Sequence, residues 1–216
     1  YTIPLSWLAA IPNAPSGAAT VMLETLDTSG TSLGSYSYGF TITAPSSVVP
    51  TISSVTASPV NDNSVISGWG IYVYGKSKAK LTINGAAGTY GSTIRSYSIT
   101  TSPNVGSASA ASYTTGLLYS SGTITVTAKV TDSRGRTATK TTTFSVYQYA
   151  APYFSAVESY RCNSSGTRDD VNGTYARILA TFGRSTLNGS NNVSCRLVMT
   201  QIGGSYSTSA TLTSGT

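Results

Sequence analysis

Apolar and polar residues alternate with period two along most of the chain, and no stretch sustains the 3.6-residue period of a long amphipathic helix. The clearest run is 123–131, where Ile124, Val126, Ala128 and Val130 fall on one side and Thr125, Thr127 and Lys129 on the other. The polar turn Asp132-Ser133-Arg134-Gly135-Arg136 follows, and then 137–147 with Phe144 and Val146 facing inward. Two such runs around a glycine-containing turn predict a hairpin like the last two strands of an immunoglobulin-type sandwich. Upstream, Ile71 and Val73 alternate with Tyr72 and Tyr74, and Leu81 and Ile83 with Lys80 and Thr82, before the turn signal Asn84-Gly85. Thr93 to Thr100 reads as a strand with a bulge, because Ile94 and Ile99 fall on opposite parity. Tyr1 to Leu5 also reads as extended. Strands recur at roughly eight- to twelve-residue intervals, which is sandwich spacing.

Two proline-marked linkers divide the pattern, Ala44-Pro45-Ser46-Ser47-Val48-Val49-Pro50 and Tyr149-Ala150-Ala151-Pro152. Each follows a strand with alternating apolar residues (Tyr38, Phe40 and Ile42; Phe144 and Val146). Each precedes a new one, Ile52-Ser53-Ser54-Val55 or Phe154-Ser155-Ala156-Val157. The expected fold is therefore all-β: tandem immunoglobulin-like or fibronectin type III-like sandwich modules. Residues 46–148 form a complete sandwich. Residues 1–45 are a partial module, the C-terminal strands of a sandwich or a small sheet, with too few strands to bury a two-sheet core alone. Residues 149–216 are a partial third module that reaches a turn-like Ser214-Gly215-Thr216. The chain reads as a piece of a larger protein.

Composition agrees with an all-β reading. Ser and Thr make 70 of the 216 residues, with 21 Gly and 15 Tyr, while charged residues are only 9%. Few Glu, Lys or Arg leaves little material for exposed helix faces. The net charge is +6, and the basic excess sits in residues 46–148, with eight Lys/Arg against Asp62 and Asp132. A basic stripe can attract an anionic polymer, but solvated strand faces account for it more simply. Only Cys162 and Cys195 are present, too few for a disulfide framework. Cys195 shares a face with Val193, Leu197 and Met199, so the pair is expected within bonding reach, as a disulfide or as buried thiols.

Several stretches carry a resemblance: Gly88-Thr89-Tyr90-Gly91-Ser92-Thr93-Ile94, Gly122 to Ala128, and Val130-Thr131-Asp132-Ser133-Arg134-Gly135-Arg136-Thr137-Ala138. Tyr149-Ala150-Ala151-Pro152, Arg161-Cys162-Asn163 and Gly173-Thr174-Tyr175 continue it, and Ile3-Pro4-Leu5-Ser6-Trp7 with Ile11-Pro12-Asn13 belongs to it too. In these the chain resembles the minor structural, tail-associated proteins of siphoviruses of Gram-positive hosts, a family of unknown function. The resemblance implies a tail or tail-fibre component of stacked sandwich domains, assembled in the bacterial cytoplasm and exposed on the virion. It carries over no catalytic residue.

The residues offer little chemistry. With no His, Ser-His-Asp and Cys-His pairs and His-based zinc sites are excluded from these residues. The one adjacent acid pair, Asp169-Asp170, would point to opposite strand faces and cannot serve as paired carboxylates. No enzymatic activity and no cofactor are expected. Asn163, Asp169, Asp170 and Asn172 make one oxygen-rich loop that could attract calcium, but its spacing suits an Asx-rich turn better. Four Asn-x-Ser/Thr sequons, at Asn163, Asn172, Asn188 and Asn192, are what a chain one-third Ser/Thr yields by chance. Tyr72, Tyr74, Lys76, Lys78 and Lys80 could form a basic-aromatic ligand surface. The alternative is an outer face whose lysines block strand addition.

Three functions remain open: a structural spacer supporting host attachment, a module that binds host cell-wall polysaccharide, and a cell-surface adhesin. The expected partners are other tail subunits or neighbouring modules, with Asp132, Arg134 and Arg136 at the inter-module contact. Neither nucleic acid nor membrane is expected.

Overall fold

The structure is a computed structural model that describes residues 2–200 and 206–212; Tyr1 and the Ser214-Gly215-Thr216 turn lie outside the described residues. The chain divides into two compact units, Tyr1–Val146 and Tyr147–Thr216. The expected boundary at 45/46 falls inside the first unit.

The first unit opens with a short 3-10 helix, Leu5–Ala10, that takes in the last residue of the Tyr1 to Leu5 stretch expected to be extended, and residues 2–4 form no strand. Pro4 supplies a fixed φ of −66° just before the first turn, and the Trp7 amide bonds the Pro4 carbonyl at 3.1 Å. Strands β1 (Ser16–Leu26) and β2 (Ser32–Thr43) then form an antiparallel hairpin. Its base is covered by the 3-10 helix and the following linker. Leu8, Ala44 and Val48 are buried there, with Ile11 and Ile42 packed against them.

Seven strands follow: β3 (Ser54–Val60), β4 (Tyr72–Val73), β5 (Lys78–Asn84), β6 (Ile94–Ser102), β7 (Ser112–Thr114), β8 (Gly122–Asp132) and β9 (Thr137–Tyr147). They make two sheets, ordered β3-β5-β7 and β4-β9-β8-β6. One core lies between them. Val55, Leu81 and Ile83 from the first sheet pack with Ile99, Ile124, Val126, Val130 and Phe144 from the second. The period-two expectation holds at β8, where Ile124, Val126, Ala128 and Val130 are all fully buried. The expected bulge in β6 is present as a register shift between Ile94 and Ser96.

The reading of 71–74 as alternating strand needs correction. Tyr72 and Val73 are both buried, and β4 is only two residues long. The chain turns back at once, because the fully buried Ser77 hydroxyl accepts the Val73 amide at 2.8 Å and donates to Asn61 Oδ1 at 2.5 Å. Asn61 Nδ2 donates in turn to the Ile66 and Ile71 carbonyls. A buried, satisfied polar network fixes this loop in place of a ladder.

The second unit contains β10 (Tyr153–Cys162) paired with β11 (Tyr175–Gly183), then a short 3-10 turn, Leu187–Gly189, and β12 (Cys195–Thr200) paired with β13 (Tyr206–Leu212). Apart from two short 3-10 helices, the regular structure of the described residues is all β, and no described helix is long and apolar enough to cross a membrane.

Candidate functional site

The most densely bonded feature of the first unit is the tip of the β8–β9 hairpin. The turn builds itself from local chemistry. The Asp132 amide donates to the Arg136 carbonyl at 2.9 Å, and the Gly135 amide to the Asp132 carbonyl at 3.0 Å. Asp132 Oδ1 accepts the amides of Arg134 at 3.0 Å and Arg136 at 2.8 Å, an Asx-type cap. Gly135 sits at φ +80°, the left-handed position that closes such a loop. Asp132 is fully buried, and its Oδ2 has no hydrogen-bond partner among the described residues.

The turn aims its two arginines at different backbone segments. Arg134 is only 5% exposed. Its Nε donates to the Ile11 carbonyl at 3.1 Å and Nη1 to the Thr89 carbonyl at 2.7 Å. Nη2 donates to the carbonyls of Leu8 at 2.8 Å and Tyr90 at 2.5 Å. A planar five-donor fork is the group that can serve four acceptors at once, and an ammonium cannot match it. Arg136 donates to the linker, at 2.7 Å to the Ala44 carbonyl and 3.1 Å to Pro45. Ser133 adds a 2.6 Å bond from its hydroxyl to the Pro12 carbonyl, while accepting the Thr93 amide at 3.1 Å. The tip thus ties together the 3-10 segment, the proline linker and the 89–93 turn.

The 89–93 turn is shaped for this. Ser92 closes it through its amide and hydroxyl on the Thr89 carbonyl. Tyr90 is held at φ +47° and Gly91 at +82°. A Cβ on Gly91 would lie 3.2 Å from Ala9 Cα, so glycine lets the turn seat against the 3-10 helix. A tyrosine in the left-handed region costs roughly 1 kcal/mol or more, offset here by the Arg134 bond to its carbonyl.

Arg134 and Arg136 therefore contact residues 8–11, 44–45 and 89–90 within the first unit, while Asp132 caps its own turn. Ser133, the 3-10 helix and the 89–93 turn were not foreseen as parts of the same junction. The Gly88-Thr89-Tyr90-Gly91-Ser92 sequence was a signal, since two glycines around a tyrosine mark a tight turn.

The expected tyrosine–lysine surface does not assemble as one platform. Tyr72 lies in the core with its ring 4.3 Å from that of Phe144, and burial pushes its phenol up to about 12. Tyr74 packs edge-on against Tyr119 at 5.9 Å. Lys78 and Lys80 lie on the outer face of β5, opposite Ala79, Leu81 and Ile83, and Lys78 pairs with Asp62 at 2.6 Å. Lys76 lies in the turn before β5, outside the strand's alternation.

Cys162 and Cys195 are both free thiols, the first buried and the second half-buried. The expectation of bonding reach is corrected by their places in the second unit, on different two-stranded sheets. Cys195 lines a shallow hollow with Pro152, Phe154 and Phe182, at the start of β10, whereas Cys162 ends that strand. Eight residues of strand at about 3.3 Å each separate these ends by roughly 26 Å, far beyond disulfide reach. The Met199 side chain, placed with Cys195 on sequence grounds, lies outside the described residues.

The oxygen-rich loop after Cys162 spends its oxygens on its own backbone. Asn163 Oδ1 accepts the amides of Ser165 and Thr167, and Asp169 Oδ1 those of Val171 and Asn172. Asp170 pairs with Arg168 at 2.9 Å. This is an Asx-rich turn.

Compared with known proteins, residues 1–171 match the family described as siphovirus protein of unknown function (DUF859). No curated protein matches the chain.

Proposed function

Since the chain belongs to this siphovirus family, we propose that it is a structural component of the phage tail or tail fibre: a non-enzymatic spacer of stacked, immunoglobulin-like sandwiches that supports host attachment. One observation carries the reading. Two arginines of a single hairpin tip donate four of their six hydrogen bonds to carbonyls of residues 8–45, the helix and linker beside the sandwich. A spacer must resist bending where one module meets the next, and charge-assisted bonds to backbone serve this without binding any ligand. Its partners would be other tail subunits and neighbouring modules of the same polypeptide. A polysaccharide-binding role has less support, because Tyr72 belongs to the core and the lysines do not converge with it.

Immunogold electron microscopy of virions with an antibody against residues 46–148 tests the proposal. Label along the tail or its fibres is expected. Label on the capsid, or none on intact particles, would overturn it.

A further inference from the structure

The β1–β2 hairpin repeats the β8–β9 hairpin strand for strand. Gly17 to Asp27 and Gly122 to Asp132 are both eleven residues long, share Thr20/Thr125 and Val21/Val126, and end on the same turn residue. The turns match bond for bond. The Asp27 amide donates to the Thr31 carbonyl at 2.9 Å, and Asp27 Oδ1 accepts the amides of Ser29 and Thr31, with Gly30 at φ +85°. The registers coincide as well. Ala19 faces Phe40 as Ile124 faces Phe144, and Thr25 faces Gly34 as Val130 faces Ala138, with Leu33 as one extra residue at a bulge. After each hairpin comes a proline directly before a β-bonded residue, Pro50-Thr51 and Pro152-Tyr153. The offset between the two copies is 105 residues at the tips.

The two copies differ in what covers them. Ile124, Val126 and Phe144 are at most 7% exposed, because the β3-β5-β7 sheet packs on their face. The corresponding Val21 is 56% exposed and its neighbour on the same face, Leu23, 72%. Tyr36 and Tyr38, directly opposite them on β2, are exposed too. Alternation gathers Val21, Leu23, Tyr36, Tyr38 and Phe40 on one face, while the other mixes Thr20, Glu24, Ser35 and Ser37 with Met22 and Leu26. A hairpin of this pattern is specified for a sandwich core. The 3-10 helix covers only its base.

We propose that the exposed face of β1–β2 is the docking face for a three-stranded antiparallel sheet of the β3-β5-β7 kind, supplied by the same polypeptide N-terminal to the hairpin. The occupant is identified by the internal copy: β3, β5 and β7 lie in that position against β8–β9, and they precede it in the chain. The Arg134 junction then lies between two complete sandwiches. This inference does not depend on where in the particle the protein sits.

The test fuses a second copy of residues 46–116 ahead of Tyr1, in a Cys162→Ser, Cys195→Ser background carrying Leu23→Cys. Maleimide labelling of the new thiol is compared with the unfused 216-residue chain, and Glu24→Cys on the opposite face is the control. Labelling at position 23 is expected to slow at least about tenfold in the fusion, while position 24 reacts alike in both. Equal labelling at position 23 in both chains overturns the proposal, whatever the state of the added copy. Sedimentation of the unfused chain gives a second reading. Concentration-dependent association abolished by Leu23→Asp would identify a second copy as the occupant and overturn it as well.

Discussion

Replacing Arg134 with Ala removes a guanidinium that serves four backbone carbonyls. Their fates differ. The Leu8 carbonyl keeps the Ile11 amide at 3.0 Å, and the Thr89 carbonyl keeps the Ser92 amide and hydroxyl. The carbonyls of Ile11 and Tyr90 retain no other donor among the described residues. Leaving a buried acceptor unpaired costs about 1–3 kcal/mol each, and both of these are part-buried, so water refills some of the loss. With the shared bonds also lost, about 3 kcal/mol is expected for the attachment of residues 5–11. That corresponds to roughly a hundredfold rise in local opening, since each 1.4 kcal/mol is a factor of ten. Amide hydrogen exchange of residues 7–11 and 89–93 reads this directly. A Trp69→Phe background leaves Trp7 as the one tryptophan to report on the same contact. Arg134→Lys, with one compact ammonium, should recover less than half of the effect. An Ala variant whose exchange at 7–11 rises less than about threefold would refute the reasoning, because the carbonyl bonds would then contribute nothing beyond water.

Three further outcomes follow from individual residues. Asp132→Asn should change the melting temperature little, because Asn163 performs the same capping in the β10–β11 hairpin, whereas Asp132→Ala frees two turn amides and should cost about 2 kcal/mol; thermal melts compare them. Tyr72 has its phenol raised to about 12 by burial, above a usual value near 10. The stability it contributes is complete below about pH 10 and is lost as the pH rises through the folded value, so Tyr72→Phe should lessen alkaline unfolding between pH 10 and 12 by up to about 2 kcal/mol in urea titrations. Gly17→Ala would drive a methyl into Ile11 Cγ2 and should destabilise the hairpin base by about 1–3 kcal/mol; Ile11→Ala in the same chain should relieve most of it, read as a double-mutant cycle.

What the sequence made legible, and what it did not, divides along one physical line. Strands β8 and β9 were readable because one face is buried and the other wet, so period two is written into their residues. The 71–74 segment shows the same alternation but has both Tyr72 and Val73 inside, since its path is set by Asn61 and Ser77 from elsewhere in the loop. The 3-10 helix drew no reading of its own, because its apolar residues carry no clear period over six positions. The arginine tip was legible as a turn, yet the carbonyls it captures lie up to 126 residues away and are backbone groups that leave no mark in sequence. The three Asx turns separate these two layers. Asp27, Asp132 and Asn163 each accept the amides two and four residues on, with a glycine in the left-handed region between. At the positions of Arg134 and Arg136 the other two tips carry Ser29 and Thr31, or Ser165 and Thr167. The turn chemistry is therefore indifferent to those side chains. Arginine at both positions of the central tip answers to the socket formed by residues 8–11, 44–45 and 89–90, and exchanging Ser29 for Arg would add no comparable bond network where the described residues offer no such ring of carbonyls.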